Sequence, residues 1–199
     1  MKRLWVLLSF LFIVQTASAQ ILVDETWGGG RLGTTSSSFS SVSSLRKTKK
    51  LGLQTTVAGA AGLLGLNMEV NLNENFAISM GPGVSRGFRS FNAHVKKFMG
   101  GNRFSPYFVG GFSRWYSSAR EEGVESTTPE FVEKKFLTGR ERRTGKFAEN
   151  IIYPGLGLQY LKTSGDWSGL GFFGEILFLV DIDDLETSPT AGVGSIFYF

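Results

Sequence analysis

Between Leu64 and Asn73 the chain alternates without a break. Leu64, Leu66, Met68, Val70 and Leu72 fall on one parity, and Gly65, Asn67, Glu69, Asn71 and Asn73 on the other. A period of two is that of an extended strand with one apolar and one polar face. After Asn73-Glu74-Asn75, a connection built from turn formers, the alternation resumes. Phe76, Ile78, Met80, Pro82 and Val84 now oppose Ala77, Ser79, Gly81, Gly83 and Ser85. The two runs read as a β-hairpin. The same reading carried along the chain predicts eight strands, at about 51–59, 63–73, 76–86, 88–98, 105–116, 148–161, 169–181 and 190–199. Each is near the roughly 9–11 residues that a tilted membrane strand needs.

The connections alternate in length. Those after strands two, four and six are brief: Asn73-Glu74-Asn75, Gly100-Gly101-Asn102 and Thr163-Ser164-Gly165-Asp166. The connection after strand five runs from about Ser117 to Phe147 and is charged. Short turns on one rim and a long loop on the other predict an all-β fold: an eight-stranded antiparallel up-and-down transmembrane β-barrel. With the N-terminus in the periplasm, the short turns fall on the periplasmic side and the long loop outside the cell.

In such a barrel the apolar parity faces lipid and the polar parity faces inward. That assignment sends Gln54, Thr56, Asn67, Glu69, Asn71, Ser79, Asn92, His94, Lys96, Gln159 and Glu175 into the lumen. Arg114 joins them on one of two readings of strand five, which carries apolar residues on both faces. An eight-stranded interior is only wide enough for side chains to fill, and buried charges there must be paired. Depth along the strands matches Glu69 with Lys96 low in the barrel and Glu175 with Arg114 higher up. Several glycines share the inward parity and leave room for longer side chains.

The N-terminus adds an address. Met1-Lys2-Arg3 is basic, Leu4 to Val14 is apolar except for Ser9, and Ala17-Ser18-Ala19 offers small residues for cleavage before Gln20. This is the pattern of a secretory signal over residues 1–19. Its apolar run is too short to cross a bilayer as a helix, which needs roughly 20 residues. Residues 20–50, with Gly28-Gly29-Gly30 and the Ser/Thr-rich run from Thr34 to Ser44, predict a flexible, solvated arm. The barrel is expected over 51–199.

Composition narrows the chemistry. There are no cysteines, 26 glycines, 18 phenylalanines and a net charge of +4. An exported chain without disulfides relies on a core or on lipid. Its basic residues are scattered among acids, so no nucleic-acid partner is expected. The lone histidine, His94, has Glu69 and Ser79 as conceivable catalytic companions. It lies in the lower half of strand four and faces the lumen, so it reads as a member of the lumen hydrogen-bond network and not as a base. With no Cys and no second His, no metal site and no cofactor are expected. Arg140, Arg142 and Arg143 cluster on the long loop near Lys134 and Lys135, interleaved with Glu130, Glu133 and Glu141. They read as a solvated charged loop, or as a contact for a partner or for lipopolysaccharide phosphates, whose geometry the Arg fork matches.

The chain stops on Ser195-Ile196-Phe197-Tyr198-Phe199, with Val193, Ser195, Phe197 and Phe199 on one face. This ending, the Ala17-Ser18-Ala19 signal and the eight alternating segments resemble the small bacterial outer-membrane barrels of the OmpA and OmpX type. The resemblance covers 51–199 and departs at Ser195, which interrupts the apolar alternation. It implies outer-membrane lipids as surroundings and recognition of Phe199 by barrel-assembly machinery. The function expected is non-enzymatic, structural or surface-interacting. The alternatives are a lipid-modifying enzyme centred on His94, a channel or secretion-complex subunit, and a soluble lipocalin-like barrel.

Overall fold

The computed structural model describes residues 38–117 and 130–199. The signal segment, residues 20–37 of the arm and residues 118–129 of the long loop lie outside the described residues. Eight strands follow in order: β1 (Leu51–Ala58), β2 (Leu64–Asn71), β3 (Phe76–Val84), β4 (Phe88–Phe98), β5 (Phe104–Ser117), β6 (Ala148–Leu161), β7 (Leu170–Asp181) and β8 (Thr187–Tyr198). Each pairs antiparallel with the next, and β1 pairs with β8 from Gly52↔Tyr198 to Ala58↔Gly192, so the barrel closes. The mouth beside this chain-terminal end of β1 and β8 is called the near mouth, and the opposite one the far mouth.

The alternation settles which face is inside. On β2, Leu66 and Met68 are 48% and 54% exposed, while Asn67 and Glu69 are 2% and 0% exposed. Leu53, Met80, Phe91, Phe108, Leu156, Phe172, Ile176 and Val193 extend the exposed apolar surface around the barrel. This is the reverse of a water-soluble barrel and is the arrangement of strands set in lipid. No helix among the described residues is long and apolar enough to cross a membrane. On the lipid face, the interruption at Ser195 has a partner: its Oγ lies 2.8 Å from Thr55 Oγ1 on the paired strand, so the two hydroxyls satisfy each other.

Inside, aromatic rings need space that the backbone supplies. Tyr107 lies opposite Gly157, and a β-carbon at that glycine would collide with its ring. Phe173 stands over Gly194 in the same way.

The arm differs from the sequence expectation over residues 38–50. Instead of a solvated tether, it forms helix α1 (Val42–Thr48) at the near mouth. Ser41 and Ser44 cap it reciprocally, each side chain accepting from the other's backbone N–H at 3.2 Å. Val42 and Leu45 are fully buried in a cluster with Leu161, Ile196 and Tyr198. Phe39 N donates to Thr163 O and Val42 N to Asn102 O, tying the arm to two of the short turns. The physical reason is spacing: Val42, Leu45 and Arg46 stand at i, i+3 and i+4, one helical face, in a segment whose average composition is polar.

The far mouth is closed by different means. The first connection on this side is a 3-10 turn (Gly59–Ala61) that bends into the barrel. Ala60 O accepts from Ser113 Oγ at 3.0 Å and from Trp115 Nε1 at 2.9 Å, and Ala61 O accepts from Ser90 Oγ at 2.7 Å. The long connection holds two short helices, α2 (Glu130–Lys135) and α3 (Gly139–Thr144). Val132, Phe136, Leu137 and Phe147 are buried in one cluster with Phe88 and Trp115. The Trp115 ring stacks at 4.9 Å from Phe88 and meets Phe136 edge-on at 5.7 Å.

Candidate functional site: the barrel interior and its closures

Inward parity on β1, β2 and β4 places Gln54, Glu69 and Lys96 at one level. Lys96 Nζ donates to Glu69 Oε2 at 2.7 Å and to Gln54 Oε1 at 3.0 Å, and both charged residues are fully buried. Tyr198 OH donates to the second Glu69 oxygen. The ammonium also sits 4.8 Å from the Phe173 ring centroid and 5.3 Å from that of Tyr107. The pair is therefore held on several sides, which a dry ion pair requires. Depth and parity alone had matched these two residues.

The other expected pair does not form. Glu175 is buried and accepts from Tyr107 OH at 3.1 Å. Arg114 is on the outer face of β5, with Phe108 and Phe112 on the same parity. The reason is Trp115: with this bulky residue turned inward to bond Ala60 O, its neighbour Arg114 must point out. Arg114 lies near the far end of β5, where a long side chain can reach water past the apolar band.

A cation missed by sequence reasoning takes its place in the interior. Arg46 of α1 is fully buried. Its Nη1 donates to Ser105 Oγ at 3.2 Å, its Nη2 to Gln159 Oε1 at 2.5 Å, and its guanidinium lies 3.3 Å from the centroid of Phe98. The signal that could have found it is the Val42-x-x-Leu45-Arg46 spacing after Ser41. Around the middle and near mouth, the described interior thus sets two bases, Lys96 and Arg46, beside the acids Glu69 and Glu175, while Glu149 and Asp181 are buried at the far rim.

His94 is 6% exposed and sits between strands. Its Nδ1 lies 3.3 Å from Tyr153 OH, and Ser79 is its register partner on β3, next to Glu69 on β2. Glu69, Ser79 and His94 thus share one level, as a catalytic triad would. The geometry lacks the triad's contacts. Among the described residues Ser79 Oγ and His94 Nε2 have no hydrogen-bond partner, and Glu69 is committed to Lys96 and Tyr198.

On the far side, Arg140, Arg142 and Arg143 are exposed on α3. Arg142 Nε donates to Leu137 O at 3.0 Å and so braces the turn between α2 and α3. Arg140 and Arg143 line a shallow surface depression with Thr138, Glu141, Thr144 and Lys146. On α2, a hydrogen bond from Lys134 holds the Glu130 carboxyl below the usual carboxylate range.

A closed antiparallel barrel with an apolar belt outside and a packed polar interior is a small transmembrane β-barrel. In fold it is similar to the crystal structure of the N-terminal β-barrel domain of Pseudomonas aeruginosa OprF. The TM-score is 0.52 and the identity 14%, over 76% of this chain and 98% of that one. This is the OmpA-type fold. No protein-family model matches the chain, and no curated protein matches it significantly.

Proposed function

We propose that the chain is a non-enzymatic bacterial outer-membrane protein: a sealed barrel that anchors a surface-exposed loop. The observation that carries this reading is the double closure of the lumen. Arg46 and its helix fill the near mouth, and the 3-10 turn with Trp115 and Phe136 fills the far one. A lumen so filled offers no continuous aqueous path. Among the described residues these closures stand between His94 and both mouths, and the OprF-like fold is consistent with an outer-membrane setting. With the near mouth in the periplasm, α2 and α3 lie outside the cell. Arg140 and Arg143 are then free to meet lipopolysaccharide phosphates, and Phe199 is the residue offered to barrel-assembly machinery.

Planar-bilayer recording tests the sealed lumen. The full mature chain should show no steady conductance, and large stable steps would replace this reading with a channel. Protease added to intact cells should cut between about Ser117 and Phe147. Cutting there only after the outer membrane is opened would invert the topology. Weaker lipopolysaccharide binding by R140A/R143A is the expected sign of the loop contact, and unchanged binding would remove it.

A further inference from the structure

At the far rim, apart from the lumen network, three acids converge. The β6–β7 register sets Ile151 opposite Asp181, and Glu149 lies two residues before Ile151 on the same inward face. Ile182 N donates to Asn150 O at 2.9 Å and continues the pairing into the turn. That turn is tight. Leu185 N returns to Asp181 O at 3.1 Å, with Leu185 itself at φ 58°, and Asp183 N donates to Asp181 Oδ1 at 2.8 Å. Glu149, Asp181 and Asp183 each bring a carboxylate oxygen within 4.8 Å of the other two.

Asp181 supplies a second observation. It is fully buried, and its Oδ2 has no hydrogen-bond partner among the described residues. Glu149 beside it is 5% exposed. Among the described residues the ion pairs are Lys96–Glu69 and Lys134–Glu130, and neither reaches this cluster. Glu69, just as deeply buried, is met by an ammonium and a phenol, whereas these two carboxylates meet each other. Buried carboxylates side by side need a positive partner. Asp183 is exposed and leaves the cluster open to solvent.

We propose that Glu149, Asp181 and Asp183 bind one calcium ion at the far rim. The donors are all hard oxygens, as this ion takes. Oxygens at about 2.3–2.6 Å from a shared Ca2+ are separated by up to about 4.6–5.2 Å, which the observed spread fits. Mg2+ demands near-octahedral geometry and gives up its waters reluctantly, so a cluster of three protein carboxylates suits Ca2+ better. The site ties the start of β6 to the β7–β8 turn, next to the long loop. The spacing Asp181-x-Asp183-Asp184-x-Glu186 is its trace in the sequence, but Glu149 joins only through the fold.

Chelator-treated full-length mature protein, refolded in detergent, should be titrated with CaCl2 by calorimetry. It should also be titrated with Tb3+, whose emission Trp115 should sensitise, because Trp115 is the register partner of Glu149. One saturable site is expected, with a Kd of about 10⁻⁴–10⁻³ M as in extracellular calcium modules. MgCl2 should bind about tenfold more weakly or worse. E149Q and D183N should each lose about tenfold in affinity or more, while E74Q, at the opposite mouth, binds as the unmodified chain does. D183N changes an exposed side chain, so it remains informative if E149Q fails to fold. Absence of saturable Ca2+ binding would overturn the proposal, as would D183N or E149Q binding like the parent. So would E149Q that stabilises the barrel while Ca2+ has no effect on either form, because the two buried carboxyls would then be sharing a proton.

Discussion

The two mouths of this barrel are closed by different means. At the near mouth, a helix from a polar arm seats Val42 and Leu45 among Leu161, Ile196 and Tyr198, and it carries in a guanidinium held by hydrogen bonds to Ser105 and Gln159 and a face-on contact with Phe98. At the far mouth, Phe88, Trp115, Phe136 and Phe147 pack together, and the polar groups of the 3-10 turn are satisfied by one indole and two hydroxyls. A charged seal depends on partners, so removing one partner strands the other. An aromatic seal depends on filled volume, so its loss leaves a cavity. The same barrel should therefore respond to mutation in two distinguishable ways.

The largest effect should come from the ion pair just inside the near mouth. Lys96→Gln or Glu69→Gln should each cost about 3–5 kcal/mol in urea unfolding of the refolded barrel if the site is dry. The double variant should recover part of that loss, because no unpaired charge remains. Full additivity would show that water reaches the pair. At the far mouth, Trp115→Ala should cost about 3 kcal/mol or somewhat more through lost burial and the cavity left behind. No second polar substitution should rescue it, and rescue by a change at Ser113 or Ser90 would blur the contrast between the mouths. Arg46→Met keeps an unbranched apolar stem and removes the donors, so about 1–3 kcal/mol should be lost. Brief conductance events in bilayer recordings should accompany the loss, and their absence would mean that α1 is not the near-mouth seal. The smallest effect belongs to Arg114→Ala, within about 0.5 kcal/mol, since this side chain faces away from the lumen. A loss as large as that of Lys96→Gln would show that Arg114 neutralises Glu175 after all.

The contrast between the mouths also explains what could be read from the chain. Strand positions and facing were legible because the period of two is local. Leu64 to Asn73 announces its own two faces, and Glu69 and Lys96 follow from parity and depth without knowledge of any partner. Strand five was ambiguous because Tyr107, Val109 and Trp115 are as apolar as Phe108 and Phe112. What fixes its facing is the carbonyl of Ala60, distant in sequence. The near-mouth helix was hidden by averaging: three inward residues in a Ser- and Lys-rich segment leave its composition polar. The acids at the far rim were hidden by distance, because Glu149 and Asp181 meet only once β6 and β7 are in register.

The seam between β1 and β8 has a consequence for how the molecule forms. Every other strand pair joins neighbours in the chain, but this seam joins Gly52 to Tyr198 and carries a further bond from Phe199 N to Leu51 O. Until β8 is in place, β1 presents a row of unsatisfied amides and carbonyls, and an open sheet with such edges sticks to other chains. The seam is also the contact of longest range, so it is the slowest to find by diffusion. Folding should then be a race between zipping from hairpin to hairpin and edge-to-edge aggregation, with the meeting of the first and last strands as the step that ends it.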